Sequence, residues 1–116
     1  MARLINQTKG TVVAERLTVA DGIWSRFRGL MGRKELPADE GLLIKPSTSV
    51  HTIFMRFAID VVFLDKSLRV VKVSPDIRPL RFAAAFRGAH SALELNSGAA
   101  VAARVEKGDQ LAIIED

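Results

Sequence analysis

Apolar residues enter this chain only in short bursts, and no burst approaches the roughly 18 residues needed to cross a bilayer as a helix. Runs such as "GLLIKP", "IDVVFLD", "RVVKV" and "QLAIIE" are each ended by a proline, an aspartate or another turn-forming or charged residue. Short apolar runs bounded by turn signals are the mark of β-strands, not of helices that need ten or more residues. The spacing therefore predicts strands at Val12–Ala14 and Leu17–Ala20, in "GLLIKP" up to Pro46, at His51–Met55 and Ile59–Leu64, and at Arg69–Ser74. Two more follow in "SALELN" and "QLAIIE".

Helical spacing is found in two places. In "DGIWSRFRGLMG", Ile23, Phe27, Leu30 and Met31 fall at i, i+4, i+7 and i+8, on one helical face. Asp21 suits the N-cap and Gly32 the stop, and Arg26 and Arg28 point away from the apolar stripe. "SGAAVAARV" suits a second short helix with Ser97 or Asn96 as its cap. "PDIRPLRFAAAFRGAH" carries two prolines and weak periodicity, and reads as a long excursion without regular structure. The fold class that follows is mainly β: a single small barrel- or sandwich-like domain of seven to eight short strands with two short helices. At 116 residues there is room for one core, so residues 1–116 form one domain.

Composition removes several function classes. The chain has no cysteine, which excludes disulfides, thiol catalysis and thiolate metal sites. Two histidines cannot complete a four-ligand structural zinc site, so no metal and no cofactor is expected. The opening "MARLINQTKG" lacks the apolar core of a secretory signal, which makes the cytoplasm the expected location and a membrane partner unexpected. A net charge of +4 raises the question of an acidic partner, but such a charge also serves solubility, and nucleic acid is the disfavoured candidate.

The remaining chemistry concentrates in "VHTIFMRFAIDVVFLD". On an extended strand His51 and Met55 lie about 13 Å apart, too far to share a metal. His51 then reads as a ring bonded to a neighbouring carboxylate or carbonyl. Asp60 lies among apolar residues, with Val62 and Leu64 on its face and Ile59, Val61 and Phe63 on the other. A carboxylate there needs a partner; the candidates are His51, Arg56, Arg26, Arg33 or a set of backbone N–H groups. Asp65 precedes "KSLRV" and suits the first position of a β-turn. Glu94 alternates with Leu93 and Leu95 and reads as an outward, exposed or ion-paired strand residue, with a pocket role kept open.

No G-x-S-x-G elbow and no Gly-rich phosphate loop occurs. Arg26, Arg28, Arg33 and Lys34 form one basic group and Arg78, Arg81 and Arg87 a second, with Asp76 the single acid between residues 75 and 93. Converging, they would make an electropositive rim. Phe82 and Phe86 either stack on bases or plug one end of the barrel.

The motifs "GLMGRKELPADEGLLI" at 29–44, "HTIFMRFAIDVVFLD" at 51–65, "RVVKV" at 69–73, "LELNSG" at 93–98 and "KGDQL" at 107–111 together resemble the uncharacterised bacterial and archaeal family called domain of unknown function 192, or UPF0127. The resemblance implies a compact β-rich fold and no established activity. Many relatives look exported, and they often carry Trp where this chain has Phe54. The expected function is binding of an anionic small molecule or partner at a pocket or rim near His51, Asp60, Arg26, Arg33, Arg56 and Glu94. One alternative is an acid–base or hydrolase-like enzyme using His51 with Asp60 or Glu94. The other is a basic nucleic-acid or protein interaction module built on "RPLRFAAAFR".

Overall fold

The computed structural model describes residues 2–22, 34–52, 55–85 and 87–115. Residues 23–33, which hold all but the start of the helix expected from Asp21 to Gly32 together with Arg26, Arg28 and Arg33, lie outside them, as do Phe54 and Phe86.

The chain runs β1 (Ala2–Asn6), β2 (Thr11–Ala20), β3 (Glu40–Ile44), β4 (Ser49–His51), β5 (Ile59–Leu64), β6 (Val70–Ile77), β7 (Phe82–Ala84), β8 (Ser91–Asn96), the helix α1 (Ala99–Ala102) and β9 (Leu111–Glu115). Seven strands form one sheet in the order β6-β5-β8-β3-β2-β1-β9, and β4 pairs with β7 in a second sheet. The pairing of β2 with β3 is parallel; the others are antiparallel. The large sheet curls until its two edges meet at one corner. There Arg69 bridges Gln110, Val70 N–H donates to Asp109 O at 2.9 Å and Leu111 N–H donates to Leu68 O at 3.0 Å. The fold is thus mainly β and barrel-like, as expected.

Local differences have identifiable causes. The two short strands expected between Val12 and Ala20 are one strand, β2. Glu15 and Arg16 are both exposed and interrupt the alternation, and they sit at a bulge: Ala2 opposes Leu17 while Leu4 opposes Ala14. The expected strand at His51–Met55 ends at His51, and Met55 N–H donates to Thr52 O at 3.2 Å. His51 and Met55 therefore do not share a strand face: His51 is exposed and Met55 buried. The excursion after Ser74 is more regular than expected, since β6 continues to Ile77 and residues 82–84 form β7.

The core has two parts. Leu4, Val13, Leu17, Leu43, Val62, Leu64, Leu93, Leu95, Ala100 and Leu111 fill the inside of the curl. Leu36, Leu42, Ile44, Val50, Met55, Ile59, Val61, Phe63, Ala83 and Ala92 form a second cluster on the outer face of β3, β5 and β8, under the small sheet. The central strands β5 and β8 are therefore buried on both faces. Gly41 lets β3 pack closely: a Cβ there would lie 3.1 Å from Ala14 Cβ and 3.2 Å from Leu95 Cδ2. Among the described residues no helix is long and apolar enough to cross a membrane.

Candidate functional site

Asp60 sits on β5 facing the inner core and is 1% exposed. Its Oδ1 accepts the N–H of Asp76 at 2.9 Å, and its Oδ2 accepts those of Gly98 at 3.0 Å and Ala100 at 2.9 Å. Gly98 is the N-cap of α1, at φ 94°, and no side chain of its own segment caps the helix. Asp60 does that work from another strand, giving the free amides at the helix start a charged acceptor. Of the expected partners among the described residues, the backbone N–H set is the one realised; Arg26 and Arg33 lie outside them. Asp60 belongs to the large sheet and His51 to the small one, so the two do not meet across adjacent strands.

Glu94 corrects a simpler expectation. It is 3% exposed, not outward in solvent, and its Oε2 has no hydrogen-bond partner among the described residues. Alternation does place it opposite Leu93 and Leu95, but the outer face of β8 is covered by the second cluster. Its cross-strand neighbours are Leu42 and Val61. Burial pushes its carboxyl up to about 7, because the charged form would lose its hydration without gaining a donor.

Asp65 is a turn residue, as expected: its Oδ1 accepts the N–H groups of Ser67 at 2.8 Å and Arg69 at 2.9 Å. Asp109, in "KGDQL", organises the barrel corner and is 5% exposed. It receives Asn6 Nδ2 at 2.9 Å, Lys9 Nζ at 2.8 Å and the Glu106 N–H at 2.9 Å. Burial acts to raise its pKa, but these three donors outweigh that and hold it below the usual carboxylate range.

The most exposed chemistry lies on the small sheet. Val50 and Ala83 point into the second cluster, and their alternating neighbours His51 and Phe82, paired across the strands, point out. Beside them the residues Arg78, Pro79, Leu80 and Arg81 make a turn with Pro79 second and Leu80 third, and Leu80 has φ 65°. Positive φ at the third position is where type II turns place glycine; leucine there costs about 1–2 kcal/mol.

The strain is held by Thr52, which is 0% exposed. Its hydroxyl donates to Arg78 O at 2.6 Å and accepts Arg81 N–H at 2.8 Å. Its N–H donates to Arg81 O at 2.9 Å, and its carbonyl accepts Leu80 N–H at 3.1 Å. A buried side chain and its own backbone thus latch the turn at four points. The turn presents Leu80 at 67% exposure and Phe82 at 63%. Arg78, Arg81 and Arg56 are exposed and make no ion pair among the described residues.

The arrangement offers cations and apolar surface in a fixed geometry. His51 and Arg56 were legible as candidates; Thr52 and Leu80 were not. Pro79 inside an arginine-rich run was the available signal, since proline favours the second turn position.

Comparison with known proteins follows the same outline. A family model described as uncharacterized ACR, DUF192, matches residues 4–113. A UPF0127 protein of Thermococcus sibiricus is 37% identical over 116 residues, covering 93% of this chain and 72% of the relative. A UPF0127 protein of Pyrococcus furiosus is 37% identical over 113 residues, covering 93% and 95%. Among solved structures, a protein of unknown function from Novosphingobium aromaticivorans superposes with a TM-score of 0.81 at 20% identity, covering 96% of this chain and 82% of that one. A proposed transcription regulator from Sinorhizobium meliloti gives 0.82 at 22% identity, covering 96% and 90%. At these identities the structures speak to the fold alone.

Proposed function

This chain belongs to the DUF192 family of uncharacterised proteins, and from that premise we propose that it is a binding domain whose partner is an acidic protein segment carrying an apolar side chain. The surface that receives it is the rim formed by His51, Arg78, Leu80, Arg81 and Phe82. One observation carries the reading: the Thr52 latch keeps a strained, exposed leucine between two arginines that make no ion pair among the described residues. Backbone strain that the surrounding structure must hold in place clusters at binding and active sites. Exposed apolar groups ringed by like charge suit a partner with the opposite charge and an apolar anchor.

The acid–base alternative draws less support. Both Asp60 oxygens are engaged by backbone amides. His51 points away from the cluster that covers Glu94.

The reading is tested by fluorescence anisotropy with a labelled hexapeptide, Glu-Glu-Leu-Phe-Glu-Glu, and with a single-stranded DNA oligomer as competitor. The peptide is expected to bind with an affinity that falls as salt rises. Binding should weaken at least tenfold in Leu80→Gly, which relieves the φ strain, and in Arg78→Glu with Arg81→Glu. No binding, or binding indifferent to these substitutions, refutes the proposal. Preference for the DNA transfers the rim to the nucleic-acid class.

A further inference from the structure

A second cleft, separate from the rim, opens along the outer edge of β6. Its volume is about 730 Å³, and its lining mixes apolar side chains (Val71, Val73, Ala84, Ala85, Val105) with charged ones (Lys72, Arg87, Glu106, Lys107). That volume is in the range of small-molecule sites, roughly 300–1,000 Å³.

Its walls come from three chain segments, each tied to the next. Lys72 Nζ donates to Ala84 O at 2.7 Å, holding β7 against β6. Gly108 N–H donates to Val70 O at 2.8 Å, and Arg69 Nη1 donates to Gly108 O at 2.7 Å, holding the 105–108 segment against the start of β6. These hydrogen bonds fix the three segments relative to one another.

The charges in the lining are unequal in availability. Glu106 is already paired with Lys9 at 2.9 Å. Arg87 and Lys107 make no ion pair among the described residues. What remains is apolar lining beside two cations that make no ion pair among the described residues, and a third, Lys72, with donors to spare. We propose that this cleft binds a small organic anion: an apolar body of aromatic or short acyl size, bearing a carboxylate, sulfonate or phosphate that sits between Arg87 and Lys107. The apolar body covers Val71, Val73 and Val105, and the head replaces water on the two cations.

The test uses 1-anilinonaphthalene-8-sulfonate as probe, with the uncharged N-phenyl-1-naphthylamine as its control. The sulfonate should saturate one site on the wild-type protein. Its affinity should fall at least tenfold in the Arg87→Glu, Lys107→Glu double variant and stay within twofold in Leu80→Gly. The uncharged analogue should bind at least tenfold more weakly. The wild-type protein alone gives a second reading: methyl NMR resonances of Val71, Val73, Ala84, Ala85 and Val105 should shift on titration with the sulfonate. The proposal is overturned by non-saturable binding, by equal affinity for the charge-reversed variant, by equal affinity for the uncharged analogue, or by shifts located at the rim and not at these methyls.

Discussion

Replacing Glu94 with glutamine should make the protein more stable at pH 8 and leave it nearly unchanged at pH 4.5. The carboxyl is pushed up to about 7 from an ordinary 4.5 by burial against Leu42 and Val61, and Oε2 meets no donor among the described residues. The folded protein therefore keeps this proton over a range in which the unfolded chain has released it. Stability is at its full value below about 4.5, declines as pH rises toward about 7, and is level above that. At about 1.4 kcal/mol per pH unit the loss is about 3 kcal/mol, a large share of the 5–15 kcal/mol typical of a domain. Glutamine keeps the shape and removes the titration. Urea unfolding followed by far-UV circular dichroism at half-unit steps from pH 4.5 to 8 measures both curves. The wild-type curve should fall across the window and the Glu94→Gln curve should run flatter, so that their difference grows with pH. Parallel curves would refute the reasoning, as would a 13C carboxyl resonance for Glu94 that titrates near its ordinary value.

Three further outcomes follow from the hydrogen bonds. Asp60→Ala strands the amides of Asp76, Gly98 and Ala100; at about 1–3 kcal/mol for a buried donor left alone, a loss of about 3 kcal/mol or more is expected in urea unfolding, and a loss under about 1 kcal/mol would contradict the capping role. Thr52→Val removes the hydroxyl that holds Arg78 O and Arg81 N–H while keeping the side chain's bulk. It should speed hydrogen exchange at the Arg81 amide more than at the amides of β5, and unchanged exchange there would show that the latch is dispensable. Asp109, whose pKa is depressed, contributes stability that is complete above its ordinary value of 3.8 and is lost as pH falls through the lower folded value. Below pH 4 the wild type should therefore lose stability more steeply than Asp109→Asn, and equal acid limbs would exclude that contribution.

Alternation along β5 was readable residue by residue. Ile59, Val61 and Phe63 join one cluster and Val62 and Leu64 the other, with Asp60 on the side of the latter. The Asp65 turn was equally local and equally readable. Asp60 was recognisable as a carboxylate in need of partners, but its donors are amides at residues 76, 98 and 100, which no local pattern brings to mind. Glu94 shows the limit of periodicity: a period of two assigns a face and says nothing about what covers it. In β2 the break at Glu15 and Arg16 looked like a boundary between strands because a bulge and a turn interrupt alternation alike. Strand β1, "ARLIN", and β7, "FAA", were missed because each is too short, and too mixed in polarity, to carry a period of its own.

The pairing of β1 with β9 sets Ala2 opposite Glu115 and Asn6 opposite Leu111. Strand β1 is thus completed by the strand farthest from it along this sequence. Until residues 111–115 leave the ribosome, the edge of β1 has no neighbour and the corner at Val70 and Asp109 cannot shut. Contacts so distant along the chain slow folding, because the loop must close before the pairing compensates for it. A nascent chain of this topology must therefore shield its unfinished inner face until β9 has emerged, and the sheet closes only after that strand is in place.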